Sequence, residues 1–247
     1  AMLHDLIPTA WSELNGAAAA YVARLYARGL DTERTKVYLA LRLLGVRRVR
    51  PCARGYELHI GTGRIVIRPE QLSAAMDALA FLDRAPDFPV RPDRLRRAEA
   101  LAADLRGVPF GTYLRITTLA RAYVEQDHRA DIGTRLVTVL YPELDESHVR
   151  PWHHLVAYQW VAGLTAWLAS KYRDLFPPAL TGDEGQAEEV ASAEEQVNAL
   201  IRSLTGGDIL REQAVLDSDT HRALTELNAK AREAAEMRKA ASQPVDA

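Results

Sequence analysis

Residues 149–178, VRPWHHLVAYQWVAGLTAWLASKYRDLFPP, are the longest and most apolar stretch of the chain. Five of its residues follow one another at steps of four, four, three and four: Trp152, Val156, Trp160, Gly163 and Trp167. This spacing puts three tryptophans on one face of a helix, because side chains three or four positions apart lie above one another. So broad an aromatic face favours burial, and the stretch therefore predicts the central core helix, ending near Pro177. An aromatic ligand-binding box is the alternative interpretation.

Helical periods also dominate the sequence before this stretch. Capping residues and glycine stops delimit two helices that should pair as an antiparallel hairpin: Asn15 to Gly29, and Asp31 or Thr32 to Gly45. Alternating apolar residues around a Gly-Thr-Gly turn predict a β-hairpin over about 56–67. Further helices are predicted from Pro69, over Leu95–Leu105, and within residues 110–127 and 130–142.

The chain changes character beyond residue 178. Residues 179–193 are acidic, contain glycine and carry few apolar side chains, which is typical of a linker. A helix near Glu194–Leu204, a Gly-Gly-Asp break and a last helix capped by Asp217, Ser218 or Asp219 follow. The fold class is therefore predicted to be mainly α: a multi-helix body over residues 1–178 with one small β-hairpin, an acidic linker over 179–193, and a C-terminal helical arm over 194–241.

The composition is that of an ordinary soluble protein, with 247 residues of which 48% are hydrophobic and 26% are charged. Cys52 is the sole cysteine, which excludes an internal disulfide and a cysteine-based zinc site, and a buried or half-buried thiol is expected there. The apolar run over residues 155–169 is too short for a membrane span. Since the N-terminus lacks a secretory signal pattern, we expect a cytoplasmic location and no membrane partner.

Charge is unevenly distributed along the chain, whose overall net charge is −2. Residues 182–247 hold 14 acidic and 7 basic side chains, a net charge of −7, so the preceding residues carry a net charge of +5. A mildly basic body with an acidic tail suits nucleic-acid binding, or a tail that maintains solubility.

The motifs of the sequence predict neither catalysis, nor a metal site, nor a cofactor. His148, His153 and His154 lie close together, but the last two would point about 100° apart on a helix and do not readily ligate one ion. Solvated or helix-capping histidines are the favoured interpretation. The glycine pairs at 61–63 and 206–207 lack the Lys-Ser/Thr ending of a phosphate loop, and they are interpreted as a hairpin turn and a helix stop. We therefore predict that the protein is not an enzyme.

Two groups of arginines raise the alternative of nucleic-acid binding. The first lies near the end of the second helix and the hairpin, and the second precedes the middle helices: Arg42, Arg47, Arg48, Arg50 and Arg54, then Arg91, Arg94, Arg96 and Arg97. Arginines contact phosphates, but aromatic residues are not interleaved with these groups along the sequence, as stacking platforms would require. A solvated arginine-rich surface is the favoured interpretation, and a nucleic-acid-binding or regulatory helical protein is the alternative.

Three segments of the chain resemble a known family. They are LIPTAWSEL at 6–14, VPFGTYLRITTLARAYVEQD with LVTVLYP within 108–142, and ALIRSLTGGDILREQAVLDSDTHRALTELNAKAREAAE at 199–236. In this order they resemble helical proteins encoded in phage and prophage tail-gene clusters of Bacteroidetes-type bacteria, some of which look like tail-assembly chaperones acting near the tape-measure protein. The resemblance implies a non-enzymatic protein that binds another protein during tail assembly, and it brings no catalytic residue.

The apolar residues of the arm suit that role, because a chaperone of a long helical client needs apolar helix surface. This leucine series is the candidate partner-binding surface: Leu200, Leu204, Ile209, Leu210, Val215, Leu216, Leu224 and Leu227. The same residues would alternatively fold back onto the body or pair with a second copy of the chain, which leaves a homo-oligomer open. A protein, rather than nucleic acid, is the expected partner.

Overall fold

The computed structural model describes residues 7–177 and 193–242. The predicted mainly α class is confirmed, with a helical content of 61%. The α-helices are α1 (Gly16–Tyr26), α2 (Thr32–Leu43), α3 (Pro69–Ala78), α4 (Phe110–Glu125), α5 (Ala130–Leu140), α6 (Pro151–Lys171), α7 (Ala193–Thr205), α8 (Glu212–Leu216) and α9 (Thr220–Ser242). The strands are β1 (Val46–Cys52), β2 (Gly55–Ile60), β3 (Gly63–Ile67), β4 (Arg94–Leu95) and β5 (Ala98–Glu99). None of these helices has both the length and the hydropathy that a bilayer crossing requires.

The predicted acidic linker over 179–193 lies outside the described residues, apart from Ala193, where α7 begins.

Helix α6 lies at the centre of the fold, as the tryptophan spacing predicts. It contacts α1, α4 and α5, and Trp160 is completely buried. The Trp160 indole Nε1 donates to the carbonyl oxygen of Ala103 at 3.0 Å, while Trp152 and Trp167 are half-buried nearer the two ends of the helix. The aromatic stripe therefore packs the core. The helix ends at Lys171 rather than near Pro177, because the backbone of Tyr172 leaves the helical conformation.

A second feature of α6 is a close backbone approach at Gly163. A Cβ atom placed on this residue would lie 2.1 Å from the carbonyl oxygen of Phe88. The proline-rich segment before β4 can lie against the helix only because this position carries no side chain. Gly163 thus belongs to the core contacts of α6 as much as the tryptophans do.

Buried apolar residues form two main clusters. The smaller cluster joins the N-terminal segment to α1, α2 and α3 around Trp11, Leu39 and Leu79. The larger cluster joins α4, α5 and α6 to the C-terminal arm around Phe110 and Trp160. Between the two clusters, Ala20 and Ala23 of α1 pack against Val156 of α6. Helix α6 therefore connects the two halves of the body.

The caps of the first two helices act as the sequence predicts. The Asn15 Oδ1 atom accepts from the backbone N–H of Ala18 at 2.9 Å, and the Asp31 Oδ1 atom accepts from the backbone N–H of Arg34 at 2.8 Å. These bonds satisfy N–H groups that have no partner within the first turn of a helix. Gly29 then supplies the positive φ, 77°, that ends the first helix.

A three-stranded antiparallel sheet follows α2, in the order β1-β2-β3. The predicted hairpin is present as β2 and β3, but one hairpin is too few, because β1 pairs with β2 as a third strand. Three arginines and Pro51 interrupt the apolar alternation of β1, and a proline is tolerated because β1 is an edge strand. Cys52, at the end of this edge strand, is exposed, so the expectation of a buried or half-buried thiol is wrong.

The helix predicted over Leu95–Leu105 is wrong. The short strands β4 and β5 form a small hairpin there, and an irregular segment follows. Tertiary donors take the carbonyl groups of this region: Leu101 accepts from the Arg91 guanidinium, Ala103 from the Trp160 indole, and Asp104 from the His221 Nε2 atom. Because these bonds satisfy the backbone without a helical ladder, tertiary contacts outweigh the local helical pattern.

The C-terminal arm lies folded back on the body. Leu224 and Leu227 of α9 are 1% and 3% exposed and belong to the larger core cluster. The side-chain oxygen Oδ1 of Asn228 accepts from the backbone N–H groups of Asp174 and Leu175, both at 3.0 Å, just beyond α6. The arm therefore completes the core of the body.

Polar contacts fix the start of α9 against the segment before α4. Asp219, one of the three predicted caps, accepts from the backbone N–H of His221 at 2.9 Å with one carboxylate oxygen. Its other carboxylate oxygen accepts from the backbone N–H of Gly107, also at 2.9 Å. Backbone bonds continue the junction, from Phe110 N–H to Ser218 O at 2.8 Å and from Thr220 N–H to Val108 O at 2.9 Å. One aspartate therefore caps its own helix and ties that helix to the body.

Candidate functional site

The leucine series of the arm is divided by the fold into buried, partly buried and exposed residues. Leu224 and Leu227 lie in the core, and four others pack partly buried against it: Leu200, Leu204, Val215 and Leu216. Ile209 and Leu210 are 80% and 88% exposed. The structure therefore leaves these two as the free apolar side chains of the series.

Ile209 and Leu210 lie on a short 3-10 turn, Ile209–Arg211, which we name the apolar turn. Local polar bonds hold its shape: the Asp208 carboxylate accepts from the backbone N–H of Leu210 at 3.0 Å and pairs with Arg211 at 3.2 Å. Gly206 and Gly207, at φ 65° and 87°, end α7 as the sequence predicts. The turn therefore exposes both apolar side chains to solvent, and its shape is held by polar contacts and the two glycines rather than by packing of these side chains.

A shallow groove of about 280 Å³ lies beside the apolar turn, between α7, α8 and α9. Four of its eight lining residues are apolar: Leu204, Ala214, Val215 and Ala223. Arg211, which ends the apolar turn, also lines the groove together with Arg222 and Glu226. Groove and turn therefore adjoin, and charged groups of both signs lie next to apolar atoms.

The first arginine group lies on and around the edge strand β1. Arg47, Arg48 and Arg50 are exposed on β1, and Arg54 is exposed in the turn that follows it. None of these side chains forms an ion pair with a carboxylate of the described residues. A register irregularity between Val46 and Arg48 adds one residue to β1. Such a bulge redirects side chains, and two consecutive arginines line the same cleft here.

Tyrosine side chains lie beside these arginines. Tyr21 of α1 and Tyr38 of α2 line a cleft of about 440 Å³ with Arg42, Arg47 and Arg48, which we name the arginine–tyrosine cleft. The linear sequence predicts no aromatic residues beside these arginines. For the first group this prediction is wrong, because the fold brings Tyr21 and Tyr38 next to them. One signal was available, because Tyr38 and Arg42 are four residues apart and so share a helix face. The contribution of Tyr21 from another helix had no sequence signal.

The second arginine group is structural in part. Arg91 is 9% exposed and donates to the carboxylate of Asp93 at 2.9 Å and to the carbonyl oxygen of Leu101. Arg94 pairs with Glu99 across the small hairpin. The bonds of Arg91 and Arg94 hold the irregular segment before α4, whereas Arg96 and Arg97 of the same group are exposed.

Two of the three clustered histidines are buried in the body. The Nδ1 atom of His153 accepts from the backbone N–H of Arg150 at 3.0 Å, which is the helix-capping role that was one of the two expected. The other expectation, a solvated ring, is wrong for His153 and His154. The Nε2 atom of His154 lies 3.2 Å from the Thr134 hydroxyl oxygen. Across the described residues, no group of three or more His, Cys, Asp or Glu side chains is arranged to hold a metal ion.

Replacing His153 with Gln should make the protein less sensitive to mild acid. Burial, followed by the nearby positive charges of His154, Arg24 and Arg150, lowers the pKa of His153 to about 4, from about 6.5 in the unfolded chain. Because the unfolded chain binds this proton first, stability falls as the pH falls from 6.5 to 4. Glutamine keeps an acceptor for the cap and does not titrate.

Urea denaturation at pH 6.5 and at pH 4 measures this effect. We expect the loss of unfolding free energy between the two pH values to be smaller in His153→Gln by about 2 kcal/mol. Burial also lowers the pKa of His154, so part of the acid sensitivity remains in the variant. Parallel pH profiles for the two proteins would contradict the assignment to His153.

His221 makes a structural contact that no pattern in the sequence indicates. Its Nε2 atom donates to the carbonyl oxygen of Asp104 at 2.6 Å, and its Nδ1 atom accepts from the Tyr172 hydroxyl at 2.7 Å. The Lys171 ammonium lies 3.3 Å from the same Nδ1 atom. This histidine joins the first turn of α9 to the end of α6, so its role is to position the arm.

The geometry brings together a free apolar turn with its groove, and a separate arginine–tyrosine cleft. Neither surface contains a paired nucleophile and base, or a set of metal ligands. Comparisons of the chain with protein-family models, with curated proteins and with solved structures found no match.

Proposed function

We propose that this chain is a non-enzymatic, protein-binding component of phage or prophage tail assembly, and that it acts as a chaperone of the tape-measure protein. The resemblance of its three segments to proteins of tail-gene clusters suggests the setting. The exposed apolar turn is the observation that carries the protein-binding part of the proposal.

The exposure of Ile209 and Leu210 is unfavourable for the protein alone. Burying a side chain of this size stabilises a complex by about 1.5–3 kcal/mol relative to leaving it in water. The turn is held by Asp208 and the two glycines, so it is already ordered before a partner arrives. A partner that covers both side chains therefore gains apolar burial at a small entropic cost.

The adjoining groove favours a helical segment as the partner. An amphipathic helix binds by laying its apolar face into a groove, and a long tape-measure protein is expected to offer many such segments. Arg211, Arg222 and Glu226 line the groove and would pair with charges beside that apolar face. The core residues of the leucine series hold the arm on the body, and the apolar turn contacts the client.

The double change of Ile209 and Leu210 to Ser should abolish client binding without unfolding the protein. Both side chains are almost fully exposed, so their loss removes little packing within the chain. We expect the tagged wild-type chain to retain the tape-measure protein of the same gene cluster on co-expression, and the variant to retain at least tenfold less. A second pair of exposed apolar residues, Val124 and Met237, changed to Ser provides the matched control.

Three results would contradict the proposal: equal retention by both double variants, no retention by the wild type, or a gene cluster without tail proteins. Sedimentation velocity on the same proteins separates self-association from client binding. If the change at the apolar turn converts an oligomer of the pure protein into a monomer, the turn pairs copies of the chain instead.

A further inference from the structure

The segment from Arg34 to Tyr56 concentrates positive charge along the sequence. It contains seven basic residues and neither Asp nor Glu, and two of the seven, Arg34 and Lys36, pair with carboxylates outside the segment. Four of its arginines lie exposed on β1 and the turn after it, and they form no ion pair with the described carboxylates. Exposed cations of one sign attract a polyanion and bind it with release of counterions.

Aromatic rings lie next to this charge. Tyr38 is 49% exposed, and the Arg42 guanidinium lies 4.4 Å from the centre of the Tyr21 ring. The cleft that these side chains share with Arg47 and Arg48 measures about 440 Å³, within the range of about 300–1,000 Å³ that small-ligand sites occupy. A half-exposed ring beside unpaired guanidinium groups offers base stacking and phosphate contacts in one place.

We propose that the arginine–tyrosine cleft and the adjoining arginines of β1 bind single-stranded nucleic acid. One base stacks on Tyr38, and the phosphates of the strand contact Arg47, Arg48 and Arg50. A duplex keeps its bases stacked and is read by an element that enters a groove, whereas Tyr38 lies within a cleft. An acidic protein would use the arginines but would gain little from the exposed ring.

The carboxylate of Glu57 lies on the strand next to Arg50 but forms no ion pair with it. Glu57 of β2 is the register partner of Arg50. Its carboxylate instead contacts the His59 ring at 2.8 Å and the Arg64 guanidinium at 3.8 Å. Arg50 therefore stays available to an external anion.

Fluorescence anisotropy with a labelled 12-nucleotide oligo(dT) strand tests the proposal over a series of KCl concentrations. The variants are Arg47→Gln/Arg48→Gln/Arg50→Gln and Tyr38→Ala. The matched control, Arg28→Gln/Arg96→Gln/Arg97→Gln, removes the same charge from exposed arginines elsewhere on the chain. A labelled 12-base-pair duplex and polyglutamate serve as the competing polyanions.

We expect the cleft triple variant to bind the strand at least tenfold more weakly and to lower the salt slope by about 2, since each single-strand phosphate contact contributes about 0.7. Tyr38→Ala should weaken binding about fivefold or more with an unchanged slope, and the control triple should retain most of the affinity. An equal loss in both triples, or tighter binding of the duplex, overturns the proposal. Binding of polyglutamate that equals the strand, together with a silent Tyr38→Ala, would assign the surface to an acidic protein.

The two proposals use different surfaces, so their tests fail separately. The changes at the apolar turn should leave oligo(dT) binding intact, and the cleft variants should leave retention of the tape-measure protein intact.

Discussion

Deletion of residues 182–247 is expected to unfold the remaining body rather than to release a stable domain. The deletion removes Leu224 and Leu227 from the larger core. Truncating one buried leucine to alanine already lowers the free energy of unfolding by about 2–5 kcal/mol. It also leaves the backbone groups of Gly107, Val108 and Phe110 without their partners on the arm. Since a domain of this kind is stable by only about 5–15 kcal/mol, these losses approach the whole of its stability.

Circular dichroism during heating measures the outcome for the truncated chain, and point variants localise its cause. Leu224→Ala should lower the unfolding free energy by about 2–5 kcal/mol. Met237 lies on the same helix but is 70% exposed, so Met237→Ala should change the unfolding free energy by no more than about 0.5 kcal/mol. A truncated chain that unfolds cooperatively near the wild-type temperature would show that the arm is an independent module.

Replacing Gly163 with Ala is expected to be strongly destabilising, by about 3 kcal/mol or more. Alanine normally favours a helix over glycine by about 1 kcal/mol, so helix propensity alone predicts the opposite sign. The new methyl group would lie 2.1 Å from the carbonyl oxygen and 2.5 Å from the carbonyl carbon of Phe88. Both contacts are with backbone, which cannot move aside as a flexible side chain would.

Gly111→Ala provides the matched control for Gly163→Ala. In α4 the added methyl group would lie 3.4 Å from the nearest atoms of Leu216, which is close to ordinary contact. We expect a change within about 1 kcal/mol, and stabilisation if the helix propensity dominates. Chemical denaturation of both variants gives the comparison, and an equal effect at the two glycines would refute the steric argument.

The sequence predicts those parts of the fold whose signals are local. The apolar period of α6, the caps at Asn15 and Asp31 and the hairpin over 56–67 depend on neighbouring residues alone, and each is present. The segment Leu95–Leu105 carries a helical pattern, yet distant donors take its carbonyl groups. Strand β1 lacks the apolar alternation and forms because β2 offers it an edge to pair with.

For the candidate surfaces too, the sequence predicts the local grouping of side chains but not their burial or their contacts with other helices. The sequence identifies the apolar residues of the arm and the arginines of β1 as groups, because each group consists of side chains of one chemical type within a short segment. Burial divides the leucines, and only the fold shows that Ile209 and Leu210 remain exposed while Leu224 is covered. The association of Tyr21 with Arg42 joins two helices, so linear spacing gave no means of finding it.

The junction of Asp219 with Gly107 has a consequence for how the protein is made. The two residues are 112 positions apart, so the contacts around α4 can close only after the ribosome has added the start of α9. At about 5–20 residues per second, that interval lasts roughly 6–22 s. During synthesis, the apolar faces of α4 and α6 therefore stay partly exposed until α9 has been added. A nascent chain stalled before residue 219 should be bound by cellular folding factors.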